Sequence, residues 1–326
     1  MPRLGLAPLL AAAAAALLAP SPTLAQWPPE KLENLKVLPD TMPVRQLIDL
    51  MAGFTRALGV RCTHCHVGEE NRPLETYDFP SDEKLAKRKA REMLKMVQAI
   101  NGQHLTGLEE RQDPPVQVRC ITCHHGVTTP RTLQDVLLLA YQTGGLDSTL
   151  TTYAALRQRY YGSAAYDFGE VPLTDVAGTV ARRGRLDDAV QLHALNVEQN
   201  PDSRFAKQQH GRMALLQAFT TLGADSGLAR YQTLRTQYGP AAFPEFALND
   251  LGYALLGRSK TAEAIAVFGL NVEAFPRSAN AHDSLGEAYA AAGDTTRAIA
   301  GYERSLELDP TNANATKRLD ALRGRR

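Results

Sequence analysis

All four cysteines of this 326-residue chain fall in two copies of one pattern, Cys62-Thr63-His64-Cys65-His66 and Cys120-Ile121-Thr122-Cys123-His124. Cys-x-x-Cys-His is the attachment signature of c-type haem. Two intervening residues set the separation of two thiols that add across the vinyl groups of one porphyrin. The histidine beside the second thiol then reaches the iron as its proximal ligand. Competing chemistries account for less. A disulfide within each pair leaves both histidines unexplained. Paired zinc knuckles lie ~15–20 residues apart, whereas 55 residues separate Cys65 from Cys120. A thioredoxin-like site carries one such motif on a βαβ pattern, which this chain lacks. The spacing therefore predicts two haem c groups, one on Cys62 and Cys65 with His66, the other on Cys120 and Cys123 with His124.

Something must hold each motif against its cofactor, and each is preceded by an amphipathic helix that carries methionine. Val44 to Leu58 places Leu47, Leu50, Met51, Phe54 and Leu58 at helical spacing, and Gly59 ends it. The second helix is expected from Ser81 or Asp82, either a good N-cap, to a stop at Asn101-Gly102. Its apolar residues are Leu85, Met93, Met96, Val97 and Ile100. Methionine on such a face is ordinarily packing.

In these residues the chain resembles the multihaem cytochrome c subunit of photosynthetic reaction centres and its two-haem relatives. The matching text is Leu50-Met51-Ala52-Gly53-Phe54-Thr55 before the first motif. It continues with Glu92-Met93-Leu94-Lys95-Met96 and Ile100-Asn101 before Val118-Arg119 and the second motif, which closes with His125-Gly126. The likeness covers about residues 35 to 130. It implies a helix, a turn and an attachment motif, repeated, with a methionine of the preceding helix as distal iron ligand. Carried over by position, Met51 serves the first haem and Met93 the second, with Met96 or His104 as alternatives there. His64 and His125 are read as surface or propionate contacts. The chain has two such units rather than four, so a role in photosynthesis is not implied.

Residues 1–25 read as an export signal: Arg3, a Leu/Ala-rich stretch from Leu4 to Ala19, then Thr23-Leu24-Ala25 before a cut. The expected location is the periplasm, which suits covalent haem attachment. Beyond residue 25 no apolar run is long enough to span a bilayer. Lys plus Arg number 36 and Asp plus Glu 35, a balance that argues against a nucleic-acid binder. The segment 26–130 has few predicted helices and many prolines, a thin core that two porphyrins would complete.

From 131 onward the text becomes helical and repeats itself. Leu251-Gly252, Ala264, Phe268 and Pro276 recur 34 residues later as Leu285-Gly286, Ala298, Tyr302 and Pro310, the tetratricopeptide pattern. A longer unit of two helical hairpins occurs twice. Gly145, Asp147, Tyr153 and Leu156 recur as Gly223, Asp225, Tyr231 and Leu234, and Leu195-Asn196-Val197-Glu198 as Leu270-Asn271-Val272-Glu273. Ala313 to Arg323 reads as a capping helix. His193 falls at an inter-helix packing position and is read as structural.

The expected fold is all-α: a haem-organised c-type cytochrome domain over 26–130, then an α-solenoid of tetratricopeptide-like hairpins over 131–326. The expected function is electron transfer, with the array docking a redox partner protein. The alternative is an enzyme, a dihaem peroxidase or the haem subunit of a dehydrogenase, which would need a vacant iron position. Nothing in the sequence fixes an oligomeric state.

Overall fold

The computed structural model describes residues 27–110 and 112–324. The export signal expected over 1–25 lies outside the described residues. The chain forms two compact units that divide between Pro130 and Arg131.

Among the described residues, the first unit contains three α-helices: α1 (Val44–Leu58), α2 (Leu85–Ala99) and the one-turn α3 (Cys120–His124). No strand occurs among the described residues; a lone antiparallel bridge pairs Val67 with Asp78. Gly59 ends α1 in the left-handed region at φ 65°, and its N–H returns to the Thr55 carbonyl. A side chain there would overlap the Gly126 carbonyl oxygen. Glycine thus lets α1 meet the chain leaving α3, where the Gly126 N–H donates to the Ala57 carbonyl at 2.8 Å.

α2 departs from expectation at both ends. It starts at Leu85 rather than at Ser81 or Asp82, because Asp82 is engaged by cations instead of capping. Nor does it stop at Asn101-Gly102: the helix continues through a π turn, Ile100–His104. Asn101 there pins the approach to the second motif, its Nδ2 donating to the Val118 carbonyl and its Oδ1 accepting from the Val118 N–H, each at 2.8 Å.

The second unit is a run of antiparallel helices: α4 (Leu133–Tyr160), α5 (Glu170–Arg182), α6 (Leu186–Gln199), α7 (Arg204–Leu222), α8 (Ala224–Tyr238), α9 (Glu245–Leu256), α10 (Thr261–Ala274), α11 (Ala279–Ala291), α12 (Thr295–Leu308) and α13 (Ala313–Arg323). α4 breaks at Gly144 and Gly145, whose φ values are −146° and 66°, making segments 133–143 and 146–160 a first hairpin. Gly223, at φ 87° between α7 and α8, is its counterpart in the duplication. The duplicated unit repeats its packing as well as its text, since Tyr153 meets Phe168 edge-on and Tyr231 meets Phe243 likewise.

Close helix approach explains the Leu-Gly and aromatic positions. A β-carbon on Gly252 would lie 2.5 Å from the Phe268 ring, and one on Gly286 would lie 3.1 Å from Tyr302. The ring of one helix fills the space that glycine leaves on its partner. His193 occupies the corresponding slot of the α5–α6 hairpin and is only 2% exposed, a structural placement. One continuous apolar core runs from Leu133 through Phe268, with Leu173, Val176, Leu192, Phe219 and Leu255 fully enclosed.

Candidate haem centres

Both motifs adopt one helical turn, for a simple chemical reason: residues i and i+3 of a turn share a face, and i+4 follows them. Cys62–His64 is a 3-10 turn and Cys120–His124 an α turn. Each thus brings its two sulfurs to one side with the histidine close by. All four thiols are unpaired, and no cluster of three or more His, Cys, Asp or Glu that could hold a metal ion occurs among the described residues. The disulfide and shared-zinc readings find no support in this arrangement.

Each histidine next to a second cysteine is oriented by a carbonyl. His124 Nδ1 lies 2.8 Å from the Val127 oxygen, and His66 Nδ1 lies 3.3 Å from the Phe79 oxygen. A carbonyl only accepts, so Nδ1 carries the proton and the Nε2 lone pair is free for a metal. Burial, reinforced by Lys87, lowers the pKa of His66. Burial also raises the Cys65 thiol against the pull of Lys84.

The first motif opens on a cavity of about 510 Å³, within the range of small-molecule and cofactor sites. Cys62, Cys65 and His66 form part of its wall, together with Met51, Ala52 and Thr55 from α1. Leu32, Leu35 and Leu38 close it from the N-terminal strap, and the Trp27 ring lies tilted against Phe79 at 4.8 Å between ring centres. The cavity therefore holds the thiol pair, the histidine and the thioether expected for one haem c, in mostly apolar walls. The interior of this unit is otherwise meagre: Ala57 and Val127 are its only buried apolar side chains among the described residues. The side chains that would ordinarily pack on one another instead face this space.

α2 presents two faces. Lys87, Ala90, Arg91 and Leu94, at i, i+3, i+4 and i+7, line the first cavity. Met93 and Met96 project elsewhere and are 41% and 45% exposed. The apolar face expected for α2 thus differs from the one that closes the first site, and Leu85 is exposed too. At the second motif Ile121 and Cys123 are exposed and Cys120 half-buried, while burial raises the Cys120 thiol. His64, His125 and His104 are exposed, His104 on the π turn.

Sequence reasoning missed the charged hub beside the cavity. Asp82 accepts from Asn34 at 3.0 Å and Lys36 at 2.7 Å, and pairs with Arg91 at 2.7 Å and Lys87 at 3.5 Å. These partners, Lys36 foremost, hold its carboxyl well below the usual carboxylate range. Lys87 also donates to the carbonyls of Phe79, Pro80 and Ser81 at 2.7, 2.9 and 2.8 Å. The hub fastens the strap to the start of α2 and fixes the Phe79 carbonyl that orients His66. Its signal in the sequence was the spacing of Lys84, Lys87 and Arg91 around Ala90 and Leu94.

Residues 30–136, roughly a third of the chain, match the family model of the photosynthetic reaction centre cytochrome C subunit. No curated relative matches the chain. Among solved structures, MamA from Desulfovibrio magneticus RS-1 (residue 41 to the end) is 16% identical, with 56% of this chain and 95% of that one covered at a TM-score of 0.30. A thermophilic TPR protein of Thermus thermophilus is 15% identical, with 58% and 96% covered at 0.30. YrrB, a TPR protein with an unusual peptide-binding site, is 16% identical, with 45% and 90% covered at 0.23. The chain is therefore a fusion, in which a segment matching the photosynthetic reaction centre cytochrome C subunit family precedes helical hairpins of tetratricopeptide type.

Proposed function

We propose that the protein is an exported dihaem c-type cytochrome that transfers electrons, and that its repeat unit docks it to a redox partner protein. The observation that carries this reading is the first cavity, which gathers Cys62, Cys65, His66 and Met51 in apolar walls. Haem c, when bound, supplies a one-electron iron couple. The chain supplies the rest. Its four thiols, Cys62, Cys65, Cys120 and Cys123, would make the covalent attachments. His66 and His124, each held by a carbonyl on Nδ1, offer Nε2 to the iron. Met51 offers a thioether at the first site, and Met93 at the second, with Met96 and His104 as its alternatives. The apolar lining excludes water and so favours a stable couple over ligand exchange.

If a histidine and a methionine both bound each iron, no position would be left for a substrate, and the reading would favour electron transfer over peroxidase or dehydrogenase chemistry. The expected signal sequence supports a periplasmic location. The repeat array supports docking because stacked hairpins present an extended surface. Two attachment motifs, rather than four, give no support to a photosynthetic role.

The test is to produce the chain in a bacterial host equipped for c-type haem maturation. Pyridine haemochrome analysis should give two haems per chain, and the resting protein should not bind carbon monoxide. A colourless protein or a single haem overturns the dihaem reading. Rapid carbon monoxide binding at one iron turns the reading toward the enzyme.

A further inference from the structure

Lys87 reaches the first site without being a candidate ligand there. Its side chain is 13% exposed, and it forms part of the cavity wall with Cys62, Cys65 and His66. Its Nζ donates to the Phe79 carbonyl at 2.7 Å. That oxygen is also the partner of His66 Nδ1, at 3.3 Å. One carbonyl thus takes two donors, an ammonium and an imidazole N–H, and the ammonium has the closer hold. The second site is built otherwise. His124 Nδ1 lies 2.8 Å from the Val127 oxygen, and among the described residues no other donor reaches that oxygen.

The cations around the two sites differ as well. Lys36, Lys87 and Arg91 face Asp82, three positive charges against one carboxylate, and the Arg91 side chain is only 14% exposed. Lys84 Nζ donates to the Thr63 carbonyl inside the first motif. Among the described residues no lysine or arginine side chain donates to the second motif, whose hydrogen bonds are made by the Arg119 N–H and the Val127 carbonyl.

Both differences act in one direction. An imidazole that donates strongly from Nδ1 gains negative character and stabilises ferric iron. An imidazole whose acceptor is already engaged by an ammonium gains less. A fixed positive charge beside an apolar site also disfavours the extra charge of ferric iron. We infer that Lys87, acting through the Phe79 carbonyl and His66 as a positioning residue, makes the two haem centres inequivalent and gives the first the higher potential. Asp82 tempers the effect, because its carboxylate offsets one of the surrounding positive charges. The inference rests on the dihaem reading proposed above and adds to it an order between the two centres.

The experiment is a spectroelectrochemical titration of the haem-loaded full chain, followed by Soret absorption. The wild type should give two resolved one-electron waves. Lys87→Met should move the higher wave down by about tenfold in the one-electron equilibrium, or about 59 mV, and leave the lower wave in place. Lys87→Arg keeps the charge and the donors and should hold the higher wave within about twofold of the wild type. Lys89→Met, the same change at an exposed position of α2, should also leave it within about twofold. Asp82→Asn removes the offsetting carboxylate and should move the higher wave up. Loosening of the fold would shift it the same way in Lys87→Met and Asp82→Asn, so opposite shifts separate tuning from damage. Should Lys87→Met fail to take up haem, a rise in Asp82→Asn supports the inference and a fall overturns it. Coincident waves in the wild type, movement of the lower wave instead of the higher, or equal shifts from Lys87→Met and Lys89→Met overturn this inference while the dihaem reading stands. Fewer than two haems per chain by pyridine haemochrome overturns that reading, and this inference with it.

Discussion

Gly59→Ala is the perturbation that tests most directly how the first unit is built. Gly59 has φ 65°, and an added β-carbon would overlap the Gly126 oxygen and lie 3.0 Å from its carbon. Placing alanine in the left-handed region costs about 1 kcal/mol. Relieving the overlap requires the two backbones to part by about 1 Å. That breaks the hydrogen bond from the Gly126 N–H to the Ala57 carbonyl, worth about 1 kcal/mol. It also loosens Ala57 and Val127, the buried apolar side chains of this unit, for about 1 kcal/mol more. The total is about 3 kcal/mol, or roughly a hundredfold in the unfolding equilibrium. Guanidinium unfolding of the haem-loaded protein, followed by Soret absorption, should report this loss. Because α1 carries Met51 and α3 carries the second thiol pair, the variant should also disturb the near-infrared sulfur-to-iron band. Gly53→Ala is the matched control: nothing lies within 4 Å of its added carbon, and an alanine inside α1 should stabilise by about 0.5–1 kcal/mol. If Gly59→Ala unfolds within about 0.5 kcal/mol of the wild type, the account of the α1–α3 contact is wrong.

Met51→Ala should abolish the sulfur-to-iron band of one haem and admit carbon monoxide to that iron, and comparison of Met93→Ala with Met96→Ala should reveal which thioether serves the other; retention of the full band in all three variants would remove methionine from both sites. Asn101→Ala deletes both hydrogen bonds to Val118 and should cost about 2 kcal/mol, measurable in the same Soret unfolding experiment. In the repeat unit, burial pushes His193 and His210 down to about 4, whereas unfolded histidine titrates near ~6.5. The unfolded state therefore binds more protons in that window, and stability should fall as pH drops from about 6.5 toward 4, by at most roughly 1 kcal/mol per pH unit for each histidine. His193→Phe, which copies the Phe268 slot, should flatten that dependence when unfolding is followed by circular dichroism at pH 7 and pH 5; an unchanged slope would show that His193 is not the titrating group.

Much of this was legible because local rules and tertiary demands coincide. α1 runs from Val44 to Leu58 as its periodicity and Gly59 require, and α13 spans Ala313 to Arg323. The 34-residue spacing of Gly252 and Gly286 becomes a physical contact with Phe268 and Tyr302. What could not be read were features set by distant partners. Asp82 has the chemistry of an N-cap, but Lys36 and Arg91 compete for its carboxylate more strongly than backbone N–H groups do. Asn101 looks like a helix stop, but its amide is spent on Val118 and the helix runs on. Periodicity marked the apolar residues of α2 without showing that Lys87, Ala90, Arg91 and Leu94 would line the first cavity while Met93 and Met96 stay exposed. The carbonyls that orient His66 and His124 belong to Phe79 and Val127, and no residue type announces a carbonyl.

The two units obtain their stability from different sources, and this bears on function. In the repeat unit, side chains such as Leu173, Leu192, Phe219 and Phe268 bury one another completely. Its hairpins contact their neighbours in sequence, so it needs nothing from outside the chain. In the first unit, Leu32, Leu35, Leu47, Phe54 and Leu94 line a cavity of about 510 Å³ instead of forming a core. Folding there is tied to whatever fills that space, because binding to the folded state alone adds its free energy to stability. A chain with all four cysteines replaced by serine should therefore keep a cooperatively folded repeat unit while its first unit loses dispersed amide signals. The repeat unit would then be folded before haem is attached. The docking role proposed for the repeat unit and the electron-transfer role proposed for the first unit should consequently be separable by mutation, which a single shared core would not allow.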